Sequence, residues 1–325
     1  MWYNETNVCI EFMLLFDFLV LGILFLALGK SADFVVRGVR NVSENIGIPT
    51  VLIGLILGFF TSIPEFFVGI NAALRGVNEV AFGNSVGGII VLFGLICGIY
   101  LLSNKDIELQ HNFSTTELFF IVFFLLFPFI ALFFGMEEVT QMEGFIIIGG
   151  YLAISFFIFS REAHKMRLHF RFLPEHKKLF MSILLGVLGV VVFSRFIVDM
   201  ALELAHRYQM PLFLMSVIVF AIGTNLPELI ITIRSLQRKV SGLPLGNIIG
   251  SDLSNTLIIG IIAFFQPIQV VFGPAFFLLF VFFVMICIAF LFLAITGRRF
   301  QQQEGFVLLA VYVMFIVTQI FFKNI

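Results

Sequence analysis

The sequence predicts an all-α integral membrane protein of ten transmembrane helices, arranged as two inverted five-helix repeats with broken helices at a midplane site. The first observation is composition: the 325 residues are 60% hydrophobic and 12% charged, with a mean hydropathy of +1.10. A soluble domain carries about 25% charged residues, so this composition excludes that class. The second observation is a series of long apolar runs, and the third is a polar motif that occurs twice inside them.

The apolar runs predict ten spans, because a transmembrane helix needs about 20 apolar residues. They are too long and too continuous for the strands of a membrane barrel, which alternate over about ten residues. The predicted spans cover residues 10–30, 47–74, 79–102, 115–135, 142–160, 179–205, 211–235, 242–265, 274–296 and 303–322.

The basic residues predict the orientation of these spans. With the N-terminus outside, fifteen of the nineteen Lys and Arg residues face the cytoplasm, which is the usual bias of membrane proteins. Both termini are then extracytoplasmic, and the expected location is the cell inner (plasma) membrane. The basic segment 161–178 is predicted to be a cytoplasmic loop between a first repeat, residues 1–160, and a second repeat, residues 179–325.

A Thr-x-x-Pro-Glu motif lies inside an apolar run in each half of the chain. "TSIPE" begins at Thr61 and "TNLPE" begins at Thr224, and each is followed by Gly-Asn-x-x-Gly. Chance apolar similarity would not keep both motifs in one register. The matched pairs are all 163 residues apart: Thr61 with Thr224, Pro64 with Pro227, Glu65 with Glu228, Gly83 with Gly246, Asn84 with Asn247 and Gly87 with Gly250.

The number of spans makes the two copies opposite in orientation. Each half has five spans, an odd number, so the second copy enters the membrane from the other side. This inverted-topology repeat is the architecture of many secondary transporters, whose substrate site lies near the midplane on interrupted helices.

The residue types of the motif predict a cation site. Pro64 and Pro227 break or kink their helices and free backbone carbonyls upstream. Glu65 and Glu228 are carboxylates inside the bilayer, which by default marks a functional site. Two carboxylates with hydroxyl and carbonyl oxygens suit Ca²⁺. For one motif alone, a kink with a protonated or snorkelling glutamate would be the plainer interpretation, but two copies in register argue against it.

The Gly-Asn-x-x-Gly segments allow two interpretations. Their glycines have the spacing of helix packing and predict that the third and eighth spans pack against the broken helices. The amides of Asn84 and Asn247 either bind the freed backbone or touch the ion, and the sequence favours neither.

These motifs resemble those of the cation/calcium exchanger superfamily, the sodium/calcium exchangers and their prokaryotic relatives. The family pattern is G-T-S-x-P-E followed by G-N-x-x-G-S in both halves, and the resemblance covers both repeats. It implies an antiporter that exchanges Ca²⁺ for Na⁺ or H⁺, with the ions held by Glu65 and Glu228. It also implies that Thr61 and Thr224 help to coordinate Ca²⁺, and that the first and sixth helices slide past the rest to alternate access.

The two repeats match the family pattern unequally. The second repeat has Asn225 where Ser is usual, and it keeps the polar positions Ser251 and Asn255. The first repeat has Gly88 and Leu92 at the matching positions, so one hydroxyl and one amide are missing. The family uses these groups for flanking Na⁺ sites, so Na⁺ and H⁺ both stay open as the coupling ion. The predicted ion-binding set is Glu65, Glu228, Thr61, Thr224, Ser62, Asn225, Ser251, Asn255, Asn84 and Asn247.

The predicted function is secondary active antiport of Ca²⁺ against Na⁺ by alternating access. Proton-coupled cation antiport is the alternative, and a cation channel is less favoured. No nucleophile–base pair accompanies the glutamates, so the sequence does not predict an enzyme. No cofactor is expected beyond the transported ions. The expected partners are small cations and membrane lipid, with no nucleic acid and no oligomer implied.

Other residues in the spans receive plainer interpretations. Arg195, Asp199 and Glu203 share one face of the sixth span, where we expect an ion pair between Arg195 and Asp199 or, alternatively, a solvated pathway. Asp17 in the first span has no partner that the sequence reveals. The 46 phenylalanines are interpreted as lipid-facing bulk.

Overall fold

A computed structural model of the chain describes residues 15–31, 33–34, 37, 49–103, 113–163, 176–209, 211–237, 242–296 and 302–321. Nearly all of these residues are helical. The helices of the first half are α1 (residues 15–31), α2a (Thr50–Thr61), α2b (Ile63–Leu74), α3 (Asn78–Ile90, Val91–Ile96 and Cys97–Ser103), α4 (Thr115–Phe134) and α5 (Gln141–Ala163). Those of the second half are α6 (His176–Tyr208), α7a (Leu212–Leu214, Met215–Phe220 and Ala221–Thr224), α7b (Leu226–Gln237), α8 (Leu243–Phe265), α9 (Pro274–Thr296) and α10 (Gln302–Phe321).

The prediction of ten membrane-spanning helices is confirmed. Within the described ranges, nine helices are long and apolar enough to cross a membrane, counting each broken helix as one. The described part of α1 is a further apolar helix, and residues 10–14 of its predicted span lie outside the described residues. Residues 164–175 of the predicted cytoplasmic loop also lie outside them, so the limits of the loop and of the two repeats stay predictions.

Helix α8 packs against α2a backbone to backbone, because glycines line both surfaces. Gly246 lies against Gly54, and Gly250 lies against Gly58. A Cβ atom on Gly250 would come within 2.6 Å of the Leu55 carbonyl oxygen. Small residues allow such close approach between membrane helices. Helix α8 of the second repeat therefore packs closely against the broken helix of the first.

The inverse contact joins α3 to α7a. A Cβ atom on Gly87 would lie 2.6 Å from the carbonyl oxygen of Val217, and Gly83 abuts Ser216. This part of α7a is a π-helical turn, Met215–Phe220, which the sequence does not predict. The predicted packing of the glycine-rich helices on the broken helices is confirmed, and the structure adds that each packs on the broken helix of the other repeat, so the two repeats interlock.

A short pair of strands joins the repeats at one end of the bundle. Strand β1 (Glu138–Val139) follows α4, strand β2 (Ile268–Gln269) follows α8, and the two pair in antiparallel register. Asn78 Nδ2 donates to the carbonyl oxygen of Pro267 nearby, at 3.2 Å. The alternation of spans places these loops on the same side of the membrane. Which side faces outward stays a prediction.

The interpretation of the phenylalanines as lipid-facing bulk is wrong for a large group of them. The Phe93 ring stacks on Phe290 with centroids 4.1 Å apart, and Phe129 packs on Phe283 at 4.9 Å. Membrane helices associate through close packing, and these rings provide it between α3, α4 and α9. The fully buried rings are Phe82, Phe93, Phe113, Phe129, Phe220, Phe276, Phe283, Phe290 and Phe315.

Candidate ion-binding site

Each repeat contains one broken helix, and the two breaks fall at equivalent residues. Helix α2a ends at Thr61 and α7a ends at Thr224. The next residue leaves the helical conformation, with φ/ψ of −78°/6° at Ser62 and −83°/11° at Asn225. The motif proline then occupies the second position of the new helix, where its missing N–H is tolerated. The predicted interruption of both helices is confirmed.

Side chains at each break bind the carbonyl groups of the preceding turn. Ser62 Oγ donates to the Gly58 carbonyl oxygen at 2.9 Å, and Asn225 Nδ2 donates to that of Ala221 at 2.7 Å. Gly58 and Ala221 are equivalent positions of the two repeats. The carbonyl oxygens that the sequence suggests as free ligands are therefore partly used by the protein itself.

Threonines and asparagines of opposite repeats meet behind the breaks. Thr61 Oγ1 lies 3.5 Å from Asn247 Oδ1, and Thr224 Oγ1 lies 3.4 Å from Asn84 Oδ1. All four side chains are fully buried. Both amide oxygens thus face a threonine of the other repeat. The alternative is that these asparagines bind freed backbone groups. Among the described residues, neither asparagine makes such a hydrogen bond.

Glu65 and Glu228 are both fully buried and lie close enough to interact electrostatically. Each sits beside the threonine of the other repeat: Thr224 beside Glu65, and Thr61 beside Glu228. Within the described part of the chain, neither oxygen of Glu65 has a hydrogen-bond partner, nor has Oε2 of Glu228. An uncompensated carboxylate in the membrane interior is costly, so the charge of this pair calls for compensation by protons or by bound cations.

Ser251 supplies a hydroxyl to one side of the site. Its Oγ lies 3.1 Å from Glu228 Oε1, from Thr61 Oγ1 and from the Gly58 carbonyl oxygen. One hydroxyl on α8 therefore connects the carboxylate of α7b with the end of α2a.

Gly88 occupies the equivalent position of the first repeat, and it has no side chain that could supply a hydroxyl group. A Cβ atom there would lie 3.0 Å from Asn255 Nδ2 and 3.1 Å from Asn225 Nδ2. The space next to Gly88 is thus taken by two carboxamides from the second repeat. Leu92, the counterpart of Asn255, is buried in the core. The predicted asymmetry of the site is therefore present in the structure as well as in the sequence.

Asp252 is a further buried carboxylate, close to Glu228, that the sequence analysis misses. It follows Ser251 on α8, is fully buried and interacts electrostatically with Glu228. Neither of its oxygens has a hydrogen-bond partner among the described residues. It also lies near the buried thiols of Cys97 on α3 and Cys287 on α9. The signal that could have identified it is a charged residue inside an apolar span.

Two ion pairs that involve α6 differ from expectation. Asp199 pairs with Arg75 at the end of α2b, so the expected pair with Arg195 is wrong, and Arg195 is exposed. Asp17 does have partners: Arg207 Nη1 at 2.6 Å and the hydroxyl of Tyr208 at 2.9 Å, both on α6. Sequence reasoning could not find these pairs because the partners are distant in the chain.

The ten predicted site residues are all buried, with at most 2% of any one exposed. Nine of them take part in the contacts described above or lie beside the glutamates. Asn255 reaches the space at Gly88 without a hydrogen bond to any described residue. No group of three or more His, Cys, Asp or Glu residues in the described ranges is arranged to hold a metal ion. A cation here would depend on two carboxylates and neutral oxygens.

The fold and the site together define a class: helical membrane transporters built from inverted repeats around a buried pair of carboxylates. The family model described as sodium/calcium exchanger protein matches residues 16–160 and 178–321. The chain therefore belongs to the sodium/calcium exchanger family, whose members are cation exchangers rather than enzymes.

Relatives and solved structures are similar over most of the chain. The sodium/calcium exchanger MaX1 of Methanosarcina acetivorans is 26% identical over 93% of this chain and 97% of its own length. The inner membrane protein YrbG of Escherichia coli is 27% identical over 77% of this chain and 79% of its own length. A structure of the sodium-calcium exchanger NCX_Mj, soaked with Na⁺ and Sr²⁺, covers 92% of this chain and 98% of its own, with a TM-score of 0.69 and 20% identity. The chain thus shares its fold and is a multi-pass membrane protein.

Proposed function

We propose that the protein exchanges Ca²⁺ for Na⁺ by alternating access, and that the two ions compete for Glu65 and Glu228. One observation carries this function. Two fully buried carboxylates lie within electrostatic range of each other, and three of their four oxygens have no hydrogen-bond partner among the described residues.

The chemistry of the surrounding groups suits Ca²⁺. Calcium takes oxygen ligands, typically about 6–8 of them, and tolerates irregular geometry. The glutamates, the flanking hydroxyls of Thr61 and Thr224 and the nearby amide oxygens are all of this type. One Ca²⁺ would balance the charge of the two glutamates.

The same charge balance accounts for exchange rather than one-way transport. An empty site would carry two negative charges through the low-dielectric interior, at a cost of several kcal/mol. Bound Ca²⁺ or bound Na⁺ removes that cost by neutralising the glutamates. Only a protein with ions bound then switches its site from one side of the membrane to the other, so one ion must replace the other.

The helices that the family resemblance expects to move are linked to each other. Asp17 on α1 pairs with Arg207 on α6, and Ser31 on α1 packs against Gly189 on α6. These contacts lie at opposite ends of the described part of α1. They support movement of α1 and α6 as one unit, a movement that would have to break the ion pair of Asp199 on α6 with Arg75 at the end of α2b.

The comparisons support the proposed ions and the location. MaX1, which is similar over nearly its whole length, is named a sodium/calcium exchanger, and YrbG is named an inner membrane protein. We therefore assign this chain to the cell inner membrane, with both termini extracytoplasmic on the basis of its basic residues.

Proton-coupled cation exchange is a second candidate, and one observation favours it. Gly88 and Leu92 remove a hydroxyl and an amide from the Glu65 side of the site. A site with fewer neutral oxygens is poorer for Na⁺, whereas a proton needs only the carboxylate. A channel is less favoured, because every predicted site residue is sealed from solvent.

The test is transport in proteoliposomes. Uptake of ⁴⁵Ca²⁺ would be driven by an outward Na⁺ gradient, with a parallel series driven by a pH gradient in the absence of Na⁺. Glu65→Gln serves as the blank. Glu203→Gln serves as the matched control, because the same chemical change is made at an exposed residue of α6.

We expect Na⁺-driven uptake in the wild type and in Glu203→Gln, and none in Glu65→Gln. Uptake that needs only the pH gradient would identify H⁺, and not Na⁺, as the coupling ion. Uptake that needs neither gradient would indicate a channel, and full activity of Glu65→Gln would show that the shared-carboxylate mechanism is wrong.

A further inference from the structure

Helix α6 contacts α2b through polar side chains at two points. Arg75 at the C-terminal end of α2b pairs with Asp199 of α6. Closer to the break in α2, Asn71 Nδ2 lies 3.3 Å from Ser194 Oγ. Residues 71 and 75 are four apart and share one helix face, and their partners follow in the same order along α6. The two contacts therefore hold one face of α2b against one face of α6.

The contact between Asn71 and Ser194 uses the hydrogen atoms of both side chains. Ser194 is fully buried, and its hydroxyl donates to the carbonyl oxygen of Val191 at 3.0 Å. It therefore accepts from Asn71, whose Nδ2 carries a further hydrogen for the carbonyl oxygen of Phe67, at 2.8 Å. Separation of α6 from α2b would leave a polar group at this buried contact without its partner, which costs free energy.

The ion pair of Arg75 with Asp199 is the more exposed of the two contacts. The side chains are 30% and 41% exposed, so salt screens the pair and its contribution is that of a surface pair. A contribution of that size shifts an equilibrium between two conformations by a factor of up to about five. The pair is thus strong enough to influence a conformational rate and weak enough to break during each transport cycle.

Helix α6 is held by partners on two sides. The pair of Asp17 with Arg207 links it to α1, whereas the contacts above link it to the first broken helix. The movement of α1 and α6 as one unit keeps the first link and has to break the second. In the other repeat the position of Asn71 is taken by Arg234, an exposed cation. The amide contact is therefore specific to the first repeat.

We propose that Asn71, Arg75, Ser194 and Asp199 form a lock between α2b and α6, which stabilises the conformation with a sealed ion site and whose opening limits the rate of exchange. This inference rests on the proposed exchange function and adds control of its rate. Loss of a contact that has to break for the switch destabilises the sealed conformation and speeds its opening. Loss of a contact that serves stability alone would lower the melting temperature without accelerating exchange.

The first test removes the charge of either partner. Arg75→Gln and Asp199→Asn are compared with Glu203→Gln, a matched control that removes a carboxylate paired within α6 itself. We expect the first two variants to exchange Ca²⁺ about threefold to fivefold faster at saturating ion concentrations in proteoliposomes, and to melt at a lower temperature in detergent. Glu203→Gln should match the wild type. Added choline chloride should accelerate the wild type more than the two variants, because it screens an ion pair that they lack.

The second test asks whether the lock has to open. Arg75→Cys and Asp199→Cys are combined on a Cys9→Ser background, since the other two cysteines are buried. A short bifunctional methanethiosulfonate reagent then joins the two new thiols. We expect exchange to stop and to return when the crosslink is reduced. The control combines Asp199→Cys with Glu203→Cys, both on α6, and its exchange should continue after crosslinking.

The third test measures opening without transport. Ser194→Cys places a thiol at the buried contact between α2b and α6, and its rate of reaction with N-ethylmaleimide reports how often the helices separate. We expect this rate to rise about fivefold when Asp199→Asn is added, and to stay the same when Glu203→Gln is added.

Three results would overturn the inference. They are an exchange rate in Arg75→Gln and Asp199→Asn no higher than that of the wild type, exchange that continues in the crosslinked protein, and a labelling rate that Asp199→Asn does not raise. In each case Ca²⁺ exchange dependent on Glu65 would still stand. Absence of any Ca²⁺ transport by the wild type would instead reject the proposed function, while the labelling rate would still decide whether the ion pair holds α6 on α2b.

Discussion

The hydroxyl of Ser251 lies 3.1 Å from Glu228 Oε1, and Glu65 has no matching hydroxyl because residue 88 is glycine. The inverted repeat places the two carboxylates in equivalent backbone frames, directly after equivalent breaks in α2 and α7. Their surroundings nevertheless differ. The site is symmetric in backbone and asymmetric in chemistry, so matched substitutions in the two repeats should have unequal effects.

Removal of the Ser251 hydroxyl should weaken Ca²⁺ binding. A hydrogen bond to a charged group contributes about 1.5–3 kcal/mol, so Ser251→Ala should raise the half-saturating Ca²⁺ concentration by at least about tenfold. The measurement is the Ca²⁺ dependence of ⁴⁵Ca²⁺ uptake. Ser254→Ala is the control, because this buried serine of the same helix donates to the Gly250 carbonyl rather than to a glutamate. Equal losses in the two variants would mean that the effect comes from packing of α8.

Enlargement of Gly250 should damage the folded protein. In Gly250→Ala the new methyl group would come within 2.6 Å of the Leu55 carbonyl oxygen, and backbone cannot give way as a flexible side chain can. Overpacking of this kind costs about 1–3 kcal/mol. We expect a lower melting temperature and a smaller monodisperse fraction in size-exclusion chromatography. Gly149→Ala, which adds the same methyl group in open space, should behave as the wild type, and a similar loss there would argue against the close helix contact.

The link between α1 and α6 should contribute to stability through Asp17. This carboxylate is largely buried and pairs with Arg207 and Tyr208. We expect Asp17→Asn to lower the free energy of unfolding by about 1 kcal/mol, more than a solvent-exposed pair contributes. A double-mutant cycle with Arg207→Gln, followed by melting temperature, isolates the pair. Asp33→Asn, which breaks a more exposed pair with Arg37, should have a smaller effect, and additive effects of Asp17→Asn and Arg207→Gln would exclude the coupling.

Neutralisation of Asp252 should weaken Ca²⁺ binding without abolishing exchange. Asp252 interacts with Glu228 through space and makes no described contact with the predicted ligands. Loss of about 1 kcal/mol of charge interaction corresponds to a roughly fivefold rise in half-saturating Ca²⁺ for Asp252→Asn. Complete loss of transport, as expected for Glu65→Gln, would identify Asp252 as an ion ligand. An unchanged value would show that its charge does not reach the site.

Much of the site could be predicted because it depends on local sequence. The breaks follow from Pro64 and Pro227, and the burial of Glu65 and Glu228 follows from their position within apolar spans. The small-residue spacing of the glycine motifs predicted that their helices pack against the broken helices, although not that each packs against the broken helix of the other repeat. In each case a short motif inside an apolar span is enough to determine the local structure.

The remainder depends on pairs of residues that only the folded chain brings together. The pairing of Asp199 with Arg75, rather than with its helical neighbour Arg195, reflects the approach of α6 to α2b. The contact between Gly88 and the side chain of Asn225 is also invisible in the sequence, because the two residues lie in different halves of the chain. Asp252 is a different case, because a charged residue inside an apolar span is visible in the sequence whereas its proximity to Glu228 depends on the fold.

The interlocking of the repeats has a consequence for biogenesis. The surface of α2a that carries Gly54 and Gly58 is complementary to α8, which is synthesised more than 180 residues after it. While the second half is still on the ribosome, this polar break has no partner helix to seal it from lipid. Assembly of the ion site therefore waits until nearly the whole chain has been inserted, and a chain that ends before α8 would leave the break in α2 without the helix that covers it.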